Sequence, residues 1–597
     1  MSSTHTDHWL RRGPRIGAVL FGQLARKGIP LGPACREAAR LSTATPVLKA
    51  SDAMVRTVIG IDVGTASVRA GVFSSAGRML AACAEPIDIF RPQANFAEQS
   101  SENIWEATGK AVRGAMRDAA VEAASVAGIS YDATCSLVAL DAFDRPITVS
   151  PSADVRWNIV MWMDHRAIDI AEQINATDHA VLRYVGGRIS PEMEPPKLKW
   201  IKENLPDTWR GAGKFFDLAD FMAYQSCGND VRSLCTLVCK WAYLGHEGEY
   251  GSWRRDFYQQ IGLDDLFDGT KVTDVVRPMG ATAGGLTTDA AQHLGLLEGT
   301  PVGVGIIDAH AGGLGVLGAV WEDEGDIALE KLETAVAYIG GTSACIMAVS
   351  REAIFVDGVW GPYYSAMVPG MWLTEGGQSA AGGLIDYVLE NNAQGLALTE
   401  QAAATDKSVY EILNDIVQRE THKHGPAWTK DLHIVGNHHG NRSPHADPLS
   451  KGIVDGLTLD TSIDAVAKRY YATVQALACS TREVIEVLNS NGYRIDKIFA
   501  CGGGTKNPVW LQEHANICDC SIVLPRESEA VLLGVSMIAA VGGGIYPDIP
   551  TAMQGMGHAG ETVLPQTSYA DYYQTKYEIF KQMYWQHVDR RAKMAAF

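Results

Sequence analysis

Two segments of this chain have the same make-up and stand about half its length apart. Residues 58–73, VIGIDVGTASVRAGVF, carry an apolar run with Asp62 near its end, a break at Gly64-Thr65-Ala66-Ser67, and a second apolar run. Residues 337–350, AYIGGTSACIMAVS, repeat the order: apolar run, Gly-Thr-Ser, apolar run. One such segment is satisfied by a hydroxyl-rich hairpin loop. Two, each opening one half of a long chain, predict a duplicated α/β domain with both loops facing a common cleft.

The pattern between and after them alternates strands with amphipathic helices. SENIWEATGKAVRGAMRDA predicts a helix over 101–119 with Ile104, Ala107, Ala111 and Ala115 on one face. A strand is expected at 159–164 and helices at 166–175 and 462–492, the last ended by Asn491-Gly492. A strand then stops at Gly502-Gly503-Gly504. Residues 530–544 read as a buried helix, because the apolar run is too short for a membrane span and ends in glycines. Tyr569, Tyr573, Tyr577, Phe580 and Tyr584 recur at helical spacing and are expected to form a packed face. The boundary between the halves falls near 318–322.

At 597 residues the chain exceeds a single core. Its net charge of −18 is unevenly spread: residues 1–50 hold eight Lys/Arg against Asp7 and Glu37. So acidic a body repels a phosphate backbone, which excludes nucleic acid as a partner, and no apolar run calls for a membrane. The eleven cysteines show no paired CxxC spacing. Cys235/Cys239 and Cys518/Cys520 are read as reduced, buried small hydrophobes of a cytoplasmic protein. The basic, acid-poor first fifty residues have the composition of a transit peptide, whereas Met54 before the first strand suggests a misassigned start. Either way, residues 1–53 are expected to be a disordered extension outside the fold.

Gly, Thr and Ser in a loop can turn N–H groups and hydroxyls toward phosphate oxygens, and two such loops make a clamp for a nucleotide. Asp62 then suits Mg²⁺, a hard cation that often holds a carboxylate through its waters. No GxxxxGK[ST] loop occurs. CGGGTKNP at 501–508 offers bare backbone to an adenine, or is a plain strand-to-helix turn. In VGVGIIDAHAGGLGVLG (302–318) a buried strand runs into Asp308, which is either a helix N-cap or a general base for a substrate hydroxyl. The histidines of HIVGNHHGNRSPHADP (433–448) lie in a Gly/Pro-rich loop and do not have zinc spacing.

With these motifs together, residues 55–560 resemble the FGGY family of carbohydrate kinases, and within it the ribulokinases, most closely the D-ribulokinase branch. IDVGTASVRAGVF is similar to the family's first phosphate motif, GGTSAC to its second, CGGGTKNPVWLQ to its adenosine motif and GIIDAHAGGLG to the segment with the catalytic base. WMDHRA (162–167), PEMEPPKLKWIKENLP (191–206), RSLCTLVCKW (232–241), WGPYYSAMVPGMWLTEGGQSAAG (360–382) and HGNRSP (439–444) discriminate further.

The resemblance implies an actin/hexokinase-like ATPase fold, α/β, with two RNase-H-like domains flanking an ATP/sugar cleft. Its layout would be an extension 1–53, an N-terminal domain 54–319 with sugar site and first phosphate loop, a C-terminal domain 320–560 with second phosphate loop and adenosine site, and a C-terminal helix 561–597. By the same resemblance Asp308 is the base and Asp62 organises Mg²⁺. Gly64, Thr65, Ser67, Arg69, Gly341, Thr342 and Ser343 hold the phosphates of ATP, and Gly503, Gly504 and Asn507 lie near its adenosine. Cys135 in YDATCS, Lys240 in LVCKW and Glu375 in LTEGGQS grip the ketose with Asp308.

The implied activity is ATP- and Mg²⁺-dependent phosphorylation of a ketopentose, D-ribulose to D-ribulose 5-phosphate. L-ribulose or another pentulose or pentitol is the alternative within the family, and an actin- or chaperone-like ATPase or a sugar sensor the alternative outside it. A homodimer is left open. The segment WEDEGDIALEKLETAVAYI (321–339) departs from the family by its length and charge.

Overall fold

The computed structural model describes residues 56–321, 327–595 and 597. The extension 1–53 lies outside the described residues, together with both expectations about it. So do residues 322–326 of the charged segment.

The first half is built on a seven-stranded sheet. Its strands are β1 (Thr57–Val63), β2 (Ser67–Ser74), β3 (Met79–Pro86), β4 (Val126–Ala133), β5 (Thr282–Gly285), β6 (Pro301–Gly303) and β7 (Ile306–Ile307). Their order is β5-β6-β4-β1-β2-β3, with β7 also pairing β4. β1 pairs antiparallel with β2 and parallel with β4. All seven residues of β1 are buried, as expected for a central strand covered on both faces.

The second half repeats the plan with β8 (Ala335–Gly340), β9 (Ala344–Ser350), β10 (Trp360–Tyr364), β11 (Trp372–Gln378), β12 (Lys497–Gly502), β13 (Ser521–Pro525) and β14 (Ala559–Val563). The order is β10-β11-β9-β8-β12-β13-β14. β8 pairs antiparallel with β9 and parallel with β12, the same relation that β1 has to β2 and β4. The two hydroxyl-rich segments are therefore equivalent hairpin turns at the centres of two equivalent sheets.

The helices that matter for the site are α1 (Ser101–Ala119), α2 (Leu234–Lys240), α3 (Asp308–Leu317), α4 (Pro508–Cys518), α5 (Ala530–Gly542) and α6 (Ala570–Met594). α1 has the span the periodicity predicts. Ser100 caps it by accepting from the Asn103 N–H, left-handed Ala120 ends it, and Ile104, Ala107, Ala111 and Ala115 are all buried. α3 and α5 cross at backbone distance: a Cβ on Gly315 would sit 1.9 Å from the Ala530 oxygen, and one on Gly534 1.8 Å from that of Ala311. α5 also presses on β1, where a Cβ on Gly60 would lie 2.6 Å from the Leu532 oxygen. α3 reaches the other sheet, with Gly312 against Ile339. Each helix thus packs on the sheet of the opposite half, and glycine makes the crossing possible.

Several sequence expectations need correction. The strand expected at 159–164 is only Ile159–Val160, because residues 162–163 turn, and the following helix is Ile168–Asn175. The long helix is Ile463–Ser490. Tyr573, Tyr577, Phe580 and Tyr584 are buried on α6, but Tyr569 precedes the helix and is 42% exposed. The second sheet runs past 560, since β14 pairs with β13. The charged segment ends in a short 3-10 turn, Leu329–Thr334, that leads into β8.

Besides the large unit (residues 56–387, 429–457 and 471–597), residues 388–428 and 458–470 form a second compact unit that the sequence did not announce. It contains helices Gly395–Thr405 and Val409–His424, the latter closed by a Ser408/Glu411 capping box, and Arg419 pairs with Asp464 within it. Among the described residues, no helix is long and apolar enough to cross a membrane.

Candidate active site

Three carboxylates converge because three neighbouring strands end together. On parallel β1 and β4, Asp62 stands opposite Asp132. β7 runs alongside β4 with Ile306 opposite Asp132, and Asp308 follows at once as the first residue of α3. The carboxyl ends of parallel strands are where open α/β sheets present ligand chemistry.

Their environments differ. Asp62 accepts from Arg69 Nε at 2.7 Å, and Arg69 Nη1 donates to Glu529 at 2.7 Å, tying the first hairpin to the residue that precedes α5. Asp132 is fully buried, and neither of its carboxylate oxygens has a donor among the described residues. Burial, then the Asp62 charge, pushes its pKa well above the usual range. Burial and Asp62 also raise Asp308, to about 6, against the opposing effects of the Ala309 N–H, His310 and Lys240. Asp308 is not the N-cap. That position belongs to Ile307, which offers no side-chain bond, while the Asp308 carboxylate accepts the Ala309 N–H at 2.7 Å.

Both hairpin loops are fixed through their backbones. Gly64 N–H donates to the Ser67 oxygen at 3.0 Å, and the Thr65 hydroxyl accepts from Trp162 Nε1 at 3.1 Å, so WMDHRA braces the first loop. In the second, Gly341 N–H donates to the Ser343 oxygen at 2.8 Å, and the Thr342 oxygen takes the N–H groups of Ala381 and Gly383 at 2.8 and 3.1 Å. Gly341 and Thr342 are exposed. At the third glycine-rich segment, left-handed Gly502 would put a Cβ 2.0 Å from the Gly340 oxygen. Gly503 is exposed and Gly504 lies against the Trp510 ring. Asn507 caps α4, accepting from Val509 N–H at 3.1 Å and Trp510 N–H at 3.4 Å.

The residues expected to hold sugar line the junction of the halves. Lys240 ends α2, is buried, and places Nζ 4.9 Å over the Trp360 ring. Burial disfavours its charge, but the Glu375 and Glu192 carboxylates favour it, and its pKa is raised. Glu375, on β11, accepts from His310 Nε2 at 3.3 Å. Burial would raise the Glu375 pKa, yet His310, Lys240 and Arg442 hold it below the usual carboxylate range. The Arg442 guanidinium lies 4.5 Å over the same Trp360 ring and 3.4 Å from Glu192. Burial lifts the Cys135 thiol to about 12, so it faces this wall as a neutral group.

Sequence reasoning overlooked Asp132, Glu192, His310, Trp360 and Arg442. The signal for Asp132 was present: YDATCS, like IDVGT, is an apolar strand running into Asp and then Thr. The others stood inside quoted motifs with no local feature to separate them from core residues.

Residues 57–315 match the FGGY family of carbohydrate kinases, N-terminal domain, and residues 336–543 its C-terminal domain. This chain belongs to the FGGY family of carbohydrate kinases. As an FGGY kinase it is a phosphotransferase with a sugar as acceptor, and FGGY kinases take the phosphoryl group from ATP. It is 44% identical over 529 residues to an FGGY carbohydrate kinase domain-containing protein of Xenopus laevis, covering 87% of this chain and 95% of that one. It is 36% identical to the D-ribulokinase of Saccharomyces cerevisiae over 534 residues, 85% of this chain and 75% of that protein. The crystal structure of gluconate kinase from Lactobacillus acidophilus superimposes with a TM-score of 0.72 at 18% identity, covering 89% of this chain and 97% of that one. The fold is accordingly the actin/hexokinase-like ATPase fold of FGGY kinases.

Proposed function

We propose that this FGGY kinase transfers the γ-phosphoryl group of ATP to the primary 5-hydroxyl of D-ribulose, with Asp308 as general base. The observation that carries the reading is the position of Asp308. It is freed from capping, poised to be ionised near neutrality, and feels the charges of both Asp62 and Lys240. The substrate hydroxyl gives its proton to the Asp308 carboxylate as the oxygen attacks phosphorus. Such a transfer otherwise needs positioning and charge stabilisation.

Gly64, Thr65, Ser67 and Arg69 from the first loop, and Gly341, Thr342 and Ser343 from the second, would hold the phosphates. Gly503, Gly504 and Asn507 would lie along the adenosine. Mg²⁺ fits the donor set, because Asp62 would supply hard oxygen, through water, and Asp132 adds two buried oxygens that have no donor among the described residues. When bound it supplies neutralising charge on the phosphates. Lys240 donates to sugar hydroxyls and Glu375 accepts from them, next to the neutral Cys135. A sugar lacking the matching hydroxyl leaves these buried groups unpaired. The likeness to a D-ribulokinase supports the choice of D-ribulose within that chemistry.

The test is ADP release from Mg-ATP with D-ribulose, L-ribulose, D-xylulose, ribitol and glycerol, together with identification of the phosphorylated carbon. D-ribulose should exceed the others in kcat/KM and give the 5-phosphate. A higher kcat/KM with another compound refutes the substrate. ADP release that no sugar increases favours an actin- or chaperone-like ATPase, and sugar binding without ADP release favours a sensor.

A further inference from the structure

Cys235 and Cys239 lie four residues apart on α2, and both thiols point at the imidazole of His310 on α3. Cys235 Sγ is 3.2 Å and Cys239 Sγ 4.0 Å from His310 Nδ1, all three ligand atoms lie within 4.8 Å of one another, and all three residues are buried. Nothing in the kinase reading uses the two thiols. A single thiol–imidazole hydrogen bond would need only one cysteine here, and both thiols approach the same ring nitrogen.

The geometry points to a binding site for one thiophilic metal ion, Zn²⁺, held by Cys235 Sγ, Cys239 Sγ and His310 Nδ1. Bonds of about 2.3 Å to sulfur and about 2.0 Å to nitrogen at tetrahedral angles separate ligand S and N by about 3.5 Å. The observed 3.2 and 4.0 Å bracket that value. Soft thiolates with an imidazole select Zn²⁺ over the hard Mg²⁺ that the nearby carboxylates suit. The ring is also held as metal-bound histidines are, with the second nitrogen, Nε2, donating to the Glu375 carboxylate at 3.3 Å. The two thiolate charges balance the dication, and the imidazole binds neutral. Among the described residues no fourth His, Cys, Asp or Glu joins the group, which leaves the fourth position to a small ligand such as water.

The ion would join α2 to α3. α2 ends in Lys240 and α3 begins with Asp308, so the clamp would fix the sugar-binding lysine relative to the catalytic aspartate. This goes beyond the kinase reading and does not require it.

The test uses the full reduced chain, loaded with Zn²⁺ and desalted over a weak chelator, with zinc counted by mass spectrometry. About one zinc per chain is expected, with at least about a tenfold loss of affinity in Cys239→Ser and in His310→Gln. Cys518→Ser/Cys520→Ser should keep the metal. In the wild type, Co²⁺ should give thiolate-to-cobalt charge-transfer absorption, which needs no variant to fold. Three results would overturn the site: zinc retained equally by Cys239→Ser and His310→Gln, wild-type protein that holds no zinc and shows no such absorption, or a Cys235–Cys239 disulfide that forms under the loading conditions.

Discussion

Asp62 and Asp132 face each other across adjacent parallel strands, and among the described residues only Asp62 has a cation, Arg69, bonded to its carboxylate. Burial, then the Asp62 charge, raises the Asp132 pKa well above the usual carboxylate range. Asp62 and Asp132 would be the carboxylates to hold Mg²⁺, whose positive charge would favour ionisation of both. The second acid therefore matters to the first, although only one of them was visible as a candidate in the sequence.

Asp132→Asn is expected to keep the fold and raise the Mg²⁺ concentration for half-maximal activity by about tenfold, through loss of one anionic neighbour. Mg²⁺ titration of sugar-dependent ADP release measures it. An unchanged Mg²⁺ requirement would assign Asp132 to packing alone.

The Asp308 carboxylate, raised to about 6, must be ionised to accept a proton. Its activity is present above that pH and lost below it, so kcat/KM should fall about tenfold per unit as the pH drops beneath about 6. The pH profile of kcat/KM, which reports the free enzyme, is the check. A profile flat down to pH 4 would mean that no group with this pKa takes the proton. The same raised pKa makes ionised Asp308 costly to the fold at neutral pH, by about 1–3 kcal/mol. Asp308→Asn should therefore melt higher than wild type at pH 8, with the gap closing toward pH 4.

Lys240→Met and Glu375→Gln should act on the sugar and spare the nucleotide. Losing a charged hydrogen bond to substrate costs about 1.5–3 kcal/mol, or about 10- to 150-fold in kcat/KM for the ketose. KM for ATP should change less than about threefold. Steady-state kinetics with each substrate varied separates the two, and an equal loss for ATP would place these residues outside the sugar site.

Gly534→Ala tests the helix crossing that joins the halves. Its Cβ would meet the Ala311 oxygen at 1.8 Å, with backbone on both sides and no rotamer to escape through. A destabilisation of about 2–4 kcal/mol or failure to fold is expected, seen as a lower melting temperature or insolubility. Gly544→Ala, at a position with nothing within 4 Å of the Cβ, is the comparison for conformational strain alone, because Gly544 has φ +68°. Equal melting temperatures for the two variants would deny the close contact.

The duplicated sheets were legible because each hairpin leaves a local mark: an apolar run, small hydroxyl residues, and another apolar run. α1 was legible to the residue because the spacing of Ile104, Ala107, Ala111 and Ala115 meets a Ser100 cap. The exchange of α3 and α5 between sheets was not, because glycines mark a close approach without naming the partner. Nor was the unit at 388–428 and 458–470, whose helices look like any others in the alternating pattern. At the site, Asp62 and Asp308 stood out by following apolar runs. His310, Trp360 and Arg442 gain meaning only from Glu375, Lys240 and Glu192, which are far away in sequence. Cys235 and Cys239, four residues apart on one helix, look like ordinary core positions until His310 from another helix is placed beside them.

The most direct test of the central claim is D-ribulose-dependent ADP formation by wild type and Asp308→Asn at saturating Mg-ATP, with folding of both verified by their melting curves. Wild type should show turnover that depends on the sugar, and the folded Asp308→Asn should lose it by about 10²- to 10⁴-fold, the usual contribution of a positioned base. A folded Asp308→Asn that matches wild type, or wild-type turnover indifferent to sugar, would contradict the account.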